Sequence, residues 1–218
     1  MILGPKKINR DGINIQAGDC VVKPSEKESL LGCQIHQSLK WNNHIVDSSS
    51  SMVRQLNQRN NALKRVCINA NFQTRLILAN GIIHSKLVYL INVWGGAQTY
   101  LIKMLQVQQL VAARIVCGPQ SLRWSRSKTL KTIGWLSVKQ LIVFYAALQA
   151  HKTVVSGNPR FLFTAFSSDY PYPTRSAANK NIRVKSNSTQ TFEYRAAVAY
   201  NRVPADVKKG SLPTVKKS

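Results

Sequence analysis

Polar and apolar residues alternate in the first part of the chain, which is the pattern of a β-strand with one buried face. Ile13 and Ile15 alternate with polar neighbours, the turn-forming residues Ala17-Gly18-Asp19 follow, and apolar residues resume at Cys20-Val21-Val22. The apolar run Leu30-Leu31-Gly32-Cys33-Gln34-Ile35 predicts one more short strand. We therefore expect residues 1–47 to form short strands joined by turns.

Beyond the serines at 48–51, apolar positions recur with the period of an α-helix. The four predicted helices cover 52–67, 72–93, 99–117 and 138–156. On the first of them, four apolar side chains share one face: Met52, Leu56, Leu63 and Cys67. Cations and amides occupy the opposite face, which is the arrangement of a helix packed on a core. Long helices with short connections favour a bundle.

The pattern of residues changes after residue 166. Tyr170-Pro171-Tyr172-Pro173 and a polar, basic stretch up to Gln190 predict a loop or arm, and 192–200 predicts one last helix that stops before Pro204. The expected fold class is therefore mainly α. A short β-hairpin region at 1–47 precedes a helical bundle at 48–166, and a less ordered basic segment follows at 167–218.

The charge pattern restricts the chemistry. The 218 residues include 31 Lys and Arg against 8 Asp and Glu, a formal net charge of +23. Between Asp47 and Asp169 there is no acidic residue, while fifteen Lys and Arg fall in that stretch. Two-metal phosphoryl transfer and paired-carboxylate hydrolysis both need carboxylates, so this stretch is unsuited to either reaction. A polymer of phosphates is the partner that such a surface favours.

Metal and histidine chemistry find little support in the spacing of the residues. Cys33, His36 and His44 are irregularly spaced and lack a fourth ligand, so we expect no zinc site. His84 and His151 have no acid nearby in sequence to orient them as general bases. The cysteines contain no CxxC pair, and with no export signal visible we expect reduced thiols in an intracellular protein, nuclear or cytoplasmic.

A membrane location is not favoured either. The most apolar stretch, 76–94, is interrupted by Asn80, His84, Lys86 and Asn92, which suits a buried helix better than a membrane span. A peripheral membrane protein that uses its cations on anionic lipid is a weaker interpretation, because no lipidation motif is present.

The order of motifs resembles the polymerase of non-LTR retrotransposons, the jockey-like and other long interspersed elements. Ile2-Leu3-Gly4 looks like the palm strand after the catalytic motif, and Ile13-Asn14-Ile15 is similar to the hairpin that follows it. Leu31, Gly32 and Cys33 fall in a stretch that resembles the primer-grip strand. The continuation from Leu39 through Trp41 to His44-Ile45 matches the family's L-x-W-x-x-H-I pattern and is the most specific part of the resemblance.

The later segments fit the same family. The helices from Met52 onward look like its thumb and the helical region after it. Tyr172-Pro173-Thr174-Arg175 resembles a Tyr-x-Thr-Arg element near the ends of such proteins. The stretch 191–195 with Tyr200-Asn201 and Val203-Pro204 is similar to the closing F-x-Y-R…W-N-x-L-P, although Tyr replaces the usual Trp and Val the usual Leu.

The departure from the family decides what the resemblance implies. The Tyr/Phe-Ala-Asp-Asp motif is absent, and no Asp-Asp pair occurs in the chain. The resemblance therefore implies a non-catalytic C-terminal piece of a reverse transcriptase, comprising the end of the palm, the thumb and the helical region. It implies no cofactor in this chain, with Mg²⁺ expected only in the full-length polymerase. The implied partners are RNA and DNA as primer-template, together with the missing palm and fingers, and no membrane.

Two basic segments are the candidate contacts with nucleic acid. The first is the helix that carries Arg54, Arg59, Lys64 and Arg65; the alternative is an ordinary solvated face. The second interleaves cations with an aromatic ring: Arg123, Trp124, Arg126 and Lys128. Trp124 suits base stacking and loop anchoring equally. For Tyr172 and Arg175, local packing is the favoured interpretation.

The function predicted from the sequence is thus a grip on primer-template nucleic acid through a basic helical surface, without catalysis by this chain. The alternative is a standalone basic nucleic-acid-binding module with no polymerase role. The two differ in whether the chain folds cooperatively alone, which a thermal melt measures.

Overall fold

The computed structural model describes residues 15–166, 174–184 and 191–209, and these are mainly α-helical after two short hairpins. In the first hairpin, β1 (Ile15–Ala17) pairs antiparallel with β2 (Cys20–Val22). In the second, β3 (Lys27–Leu30) pairs with β4 (Cys33–His36). The predicted fold class is confirmed. The stretches 1–14, 167–173, 185–190 and 210–218 lie outside the described residues, among them Ile2-Leu3-Gly4, Ile13 and Tyr172.

The prediction of one strand over 30–35 was wrong. Leu30 pairs with Cys33, so Leu31 and Gly32 form a two-residue turn between two strands. Both turn residues have positive φ, 50° at Leu31 and 75° at Gly32, as a hairpin turn of the primed type requires. Asn or Gly usually takes the first of these positions. Leucine gave no turn signal, and the apolar run therefore looked continuous.

The helix predicted at 52–67 is confirmed as α1 (Met52–Val66), and that predicted at 99–117 as α5 (Thr99–Cys117). Met52, Leu56 and Leu63 are buried on α1, as the pattern predicted, and α1 packs on α5. Between them the buried Asn60 donates from Nδ2 to the backbone carbonyl of Gln108 at 3.1 Å. Burial of this face is what leaves the opposite face of α1 in solvent.

The single helix predicted over 72–93 was wrong. The structure has α2 (Phe72–Ala79), a π-helical turn at Asn80–His84 and α3 (Ser85–Val88), followed by a break before α4 (Ile91–Trp94). Leu90 takes a positive φ of 52° at the break, which no sequence pattern announces. Within the described ranges, no helix is both long enough and apolar enough to span a bilayer.

The described residues form two compact units, the first comprising 15–90 and Ala97–Val138. After α5 this unit continues through a 3₁₀ turn (Pro119–Arg123) and α6 (Arg126–Thr132), neither of which the sequence pattern predicted. The hydroxyl of Ser125 accepts the backbone N–H of Lys128 and caps α6. Gln109, fully buried on α5, donates to the carbonyl of Leu136 at 2.8 Å and so holds the segment after α6.

The second unit comprises Ile91–Gly96 and the described residues from Lys139 onward. Its described helices are α4, α7 (Val138–Ser156, in this unit from Lys139), α8 (Arg160–Ala165), α9 (Arg175–Ala178), α10 (Phe192–Asn201) and α11 (Ala205–Lys209). The helices predicted at 138–156 and 192–200 are confirmed as α7 and α10. Small side chains such as Ala146, Ala150 and Ala196 form part of the core, which lets backbones approach closely.

The Tyr200-Asn201 pair organises the end of this second unit. Asn201 accepts the N–H of Ile182 at 2.8 Å and donates to its carbonyl at 2.9 Å, in the manner of a β-bridge. Tyr200 is buried, and the ammonium of Lys208 lies 4.8 Å from its ring centroid. Lys208 is itself buried and donates to Asn181 Oδ1 at 2.7 Å. Tyr200 and Asn201, which belong to the stretch similar to F-x-Y-R…W-N-x-L-P, therefore stabilise the end of the second unit.

Candidate nucleic-acid interface

The outer face of α1 is the candidate interface with the simplest composition. It is defined by Arg54, Asn57, Gln58, Asn61, Lys64 and Arg65, all of which are exposed. Arg54 and Arg65 are eleven residues apart, about 16 Å along the helix axis at 1.5 Å per residue. That length matches roughly five nucleotides of one strand at 3.4 Å each. The face thus presents cations at both ends and amides between them.

The charged residues of this face are all positive. Charged helix faces in solvent commonly carry acids four residues from their bases, and these neutralise part of the field. The outer face of α1 has no such acid, because none occurs between Asp47 and Asp169. Arginine and lysine donate charge-assisted hydrogen bonds to phosphate oxygens, and amide side chains add neutral ones. This arrangement can hold a phosphate backbone, but it has no group that would cleave or extend it.

Arg59 is placed differently from the other predicted cations of α1. It is half-buried, and its Nη1 donates to the backbone carbonyl of Ile82 at 2.8 Å. Ile82 lies in the π-helical turn, where the hydrogen-bond pattern of the helix is interrupted. Arg59 therefore stabilises the junction between α1 and this turn, and it does not lie on the outer face. Its predicted contact with nucleic acid stays a prediction.

The second predicted segment lies on the turn before α6 and on α6 itself. Arg123, Arg126 and Lys128 are exposed, while Trp124 is half-buried. The ammonium of Lys128 lies 4.9 Å from the Trp124 ring centroid, within the range of a cation–π contact. One lysine is thus held in place by the ring and presented to solvent. Base stacking by Trp124 stays a prediction. Arg175, for which local packing was the favoured interpretation, is exposed at the start of α9.

The primer-grip-like residues do not share one surface. Leu31 is 75% exposed at the tip of the second hairpin, and Gly32 lies beside it in the turn. Cys33 points inward and is only 2% exposed, and burial raises the pKa of its thiol. The hydroxyl of Tyr89 donates to the carbonyl of Leu31 at 2.8 Å, which fixes the turn on the helical part of the unit. Only the turn itself, Leu31 and Gly32, is presented for contact.

His44 is a structural residue of the same region. It is buried, and its Nδ1 accepts the backbone N–H of Gln34 on β4 at 3.3 Å. That contact requires an unprotonated Nδ1, so the neutral tautomer carries its proton on Nε2. Burial, with the charge of Lys86 as a second cause, lowers the pKa of His44 to about 4. His44 is therefore neutral at physiological pH and anchors the hairpin.

Metal chemistry has no assembled site in the part of the chain that the structure describes. No group of three His, Cys, Asp or Glu side chains there is arranged to hold an ion. His36 contacts Ser38, and the ring of His84 lies 5.2 Å from that of Trp135. His151 stacks on Tyr200 in the second unit. Each of the four histidines thus contacts a neighbour other than a carboxylate.

Both basic segments belong to the first unit, where α1 and α6 each pack on α5. Sequence reasoning passed over two further residues of this unit, Lys86 and Tyr89. The available signal was Lys86 itself, a charged residue in the otherwise apolar stretch 76–94, which had counted only against a membrane span.

Comparison with known proteins adds no assignment. No protein-family model, no curated protein and no solved structure matches the chain. The resemblance to reverse transcriptases therefore stays a prediction carried by the motifs in the sequence.

Proposed function

We propose that this chain binds nucleic acid through the sugar-phosphate backbone, as the non-catalytic C-terminal part of a non-LTR retrotransposon reverse transcriptase. The observation that carries the binding proposal is the outer face of α1, where cations and amides stand exposed without an acid. The polymerase part of the proposal rests on the motif resemblance. In that role the α1 face lies along the primer-template, and catalysis belongs to a palm that carries the missing aspartates.

Binding of this kind is mainly electrostatic. Each cation that meets a phosphate releases a condensed counterion, so the logarithm of the affinity falls with the logarithm of salt by about 0.9 per contact on duplex DNA. The exposed cations of the two basic segments are Arg54, Lys64, Arg65, Arg123, Arg126 and Lys128. Contact by about five to eight cations in total gives a slope of roughly −4 to −7. Such contacts fix the register of a strand and do not read its sequence.

A standalone binding module is the rival function, and one feature of α5 makes it the weaker candidate. Four exposed apolar side chains follow one another at spacings of four, three and four residues on α5: Tyr100, Met104, Val107 and Val111. Contiguous exposed apolar surface is typical of a face that another protein segment covers. The stripe therefore supports the proposal that this chain is part of a larger assembly. A cooperative melt of the isolated chain would instead support the standalone module.

The test is a matched pair of triple variants. Arg54→Gln, Lys64→Gln and Arg65→Gln together remove three positive charges from the outer face of α1. The control, Lys139→Gln, Lys152→Gln and Arg160→Gln, removes three exposed charges from α7 and α8. Each variant lowers the net charge by three, so the overall attraction to a polyanion falls by the same amount in both.

The expected result is a loss for the α1 variant alone. Three phosphate contacts contribute about two orders of magnitude in affinity near 0.15 M salt, and their removal makes the salt slope shallower by about 2.7. Fluorescence anisotropy with a labelled RNA–DNA hybrid measures both quantities, and circular dichroism checks that each variant is folded. Equal losses in the two variants would show that net charge alone attracts the nucleic acid, and the α1 interface would be wrong.

A further inference from the structure

Lys86 occupies an unusual position for a lysine. It lies on α3 and is half-buried in the first unit. Its Nζ is 5.9 Å from the ring centroid of Tyr89, and the hydroxyl of that same tyrosine donates to the carbonyl of Leu31. The ammonium and the Leu31–Gly32 turn therefore lie against one side chain. This places a cation beside the exposed tip of the second hairpin.

The surroundings of Lys86 leave its charge without an acidic partner. Burial is the main cause that lowers the pKa of Lys86, and the nearby positive charge of Arg59 lowers it further. The other group that acts on it electrostatically is the thiol of Cys33; among the described residues no carboxylate does so. Two cations close together in a partly buried site destabilise each other unless an anion lies between or beside them. A phosphate oxygen would supply that negative charge.

The adjoining turn shows a second unusual feature. Leu31 adopts the left-handed conformation, with φ of 50°, although it is not a glycine and is 75% exposed. For an L-residue with a side chain this conformation is unfavourable, because Cβ comes close to the following carbonyl oxygen. Because the leucine side chain is exposed in the described structure, its burial does not offset this unfavourable conformation. The primed hairpin turn requires this conformation, and it leaves the leucine side chain exposed at the tip that Tyr89 holds.

We propose that Lys86 binds one backbone phosphate of the nucleic acid, at a position beside the Leu31–Gly32 turn and separate from the outer face of α1. The proposal rests on the proposed function, since it takes a nucleic-acid strand as the ligand. Its specific content is that a half-buried lysine, and not only the exposed cations, belongs to the binding surface.

Substitution at Lys86 tests the proposal against a matched control. Lys86→Met removes the charge and keeps the length of the side chain, and Lys103→Met does the same at an exposed site on α5. Lys86→Met is expected to weaken binding of an RNA–DNA hybrid about fivefold near 0.15 M salt and to make the salt slope shallower by about 0.9. Lys86→Arg, which keeps the charge, should retain the slope, and Lys103→Met should bind like the wild type.

A chemical measurement on the wild-type chain covers the case in which Lys86→Met fails to fold. Lysines are acylated with an amine-reactive ester, with and without a saturating RNA–DNA hybrid, and the modified peptides are quantified by mass spectrometry. Acylation of Lys86 should fall at least fivefold on binding, while that of Lys103 stays within twofold.

Three results would overturn the proposal. The first is wild-type affinity and salt slope in folded Lys86→Met, with Lys86 unprotected from acylation, which leaves the proposed function intact. The second is an equal loss in Lys103→Met, which would indicate net charge and no specific position. The third is a wild-type chain that does not bind the hybrid at all, in which case the proposed function fails as well.

Discussion

Replacing Gly95 by alanine tests how closely the second unit is packed. Gly95 follows directly after α4 and lies in closely packed surroundings. A Cβ placed there would lie 2.4 Å from the carbonyl oxygen of Ile91, 2.9 Å from Nη1 of Arg195 and 3.0 Å from Cγ2 of Ile142. The oxygen of Ile91 belongs to the backbone and Ile142 has a branched side chain, so neither can move away easily. Gly95→Ala is therefore expected to destabilise the protein.

The magnitude follows from two contributions. Inserting a methyl group into a packed site destabilises by about 1–3 kcal/mol. The displaced Arg195 also loses its hydrogen bond from Nη2 to the carbonyl of Asn92, 3.1 Å long, and a hydrogen bond made by a charged group contributes about 1.5–3 kcal/mol. The sum is roughly 2.5–6 kcal/mol when both act in full. For a chain of this length, each kcal/mol lowers the Tm by about 2–4 °C, so a fall of roughly 5 °C or more is expected.

Gly81→Ala is the matched control for this experiment. No atom lies within 4 Å of a Cβ built on Gly81, which sits in a helical turn. Alanine there should be neutral or stabilising by about 0.5–1 kcal/mol, because glycine loses more backbone entropy in a helix. Both variants are followed by thermal melting in circular dichroism. The packing argument fails if Gly95→Ala melts within a degree of the wild type, or if Gly81→Ala is the more destabilised of the two.

Two further predictions concern structural residues of the first unit. Arg59→Ala should lower the free energy of unfolding by about 1–3 kcal/mol because it leaves the carbonyl of Ile82 without its donor, whereas Arg54→Ala on the same helix should change it by less than about 0.5 kcal/mol. Equal values from urea titrations of the two variants would contradict this assignment. Burial of His44 lowers its pKa to about 4, below the unfolded value near 6.5, so the stability of the wild type should fall as the pH drops from 6.5 towards 4. His44→Gln should show a smaller fall between pH 7 and 4.5 in the same titrations, and an unchanged fall would mean that other groups cause it.

Regular helices were predictable because their local pattern and their tertiary role agree. On α1, the residues that share a face at helical spacing are the ones that pack on α5, so the pattern alone gave both the helix and its buried side. Where a residue takes an uncommon conformation for its type, the prediction failed. Leu31 and Leu90 both have positive φ, and a leucine in sequence favours continuing an apolar element. The hairpin turn and the break before α4 were missed for that one reason.

The candidate site was predictable in its chemistry and only partly in its geometry. The absence of acids and the excess of cations are properties of the sequence. The roles of individual cations depend on tertiary contacts. On a helical wheel Arg54 lies opposite the apolar face of α1 and Arg59 on its flank, but the wheel does not show that Arg59 donates to Ile82, which is distant in sequence. Lys86 likewise looked like an interruption of an apolar stretch, because its proximity to Tyr89 and the hairpin turn appears only in the fold.

The most direct test of the account is a salt titration of the full chain against a labelled RNA–DNA hybrid, with affinity measured between about 50 and 300 mM KCl. Phosphate contacts by about five to eight cations predict a straight line of log affinity against log salt with a slope of roughly −4 to −7. Binding that does not change with salt, or no binding at the lowest salt, would contradict the claim that this surface holds a nucleic-acid backbone.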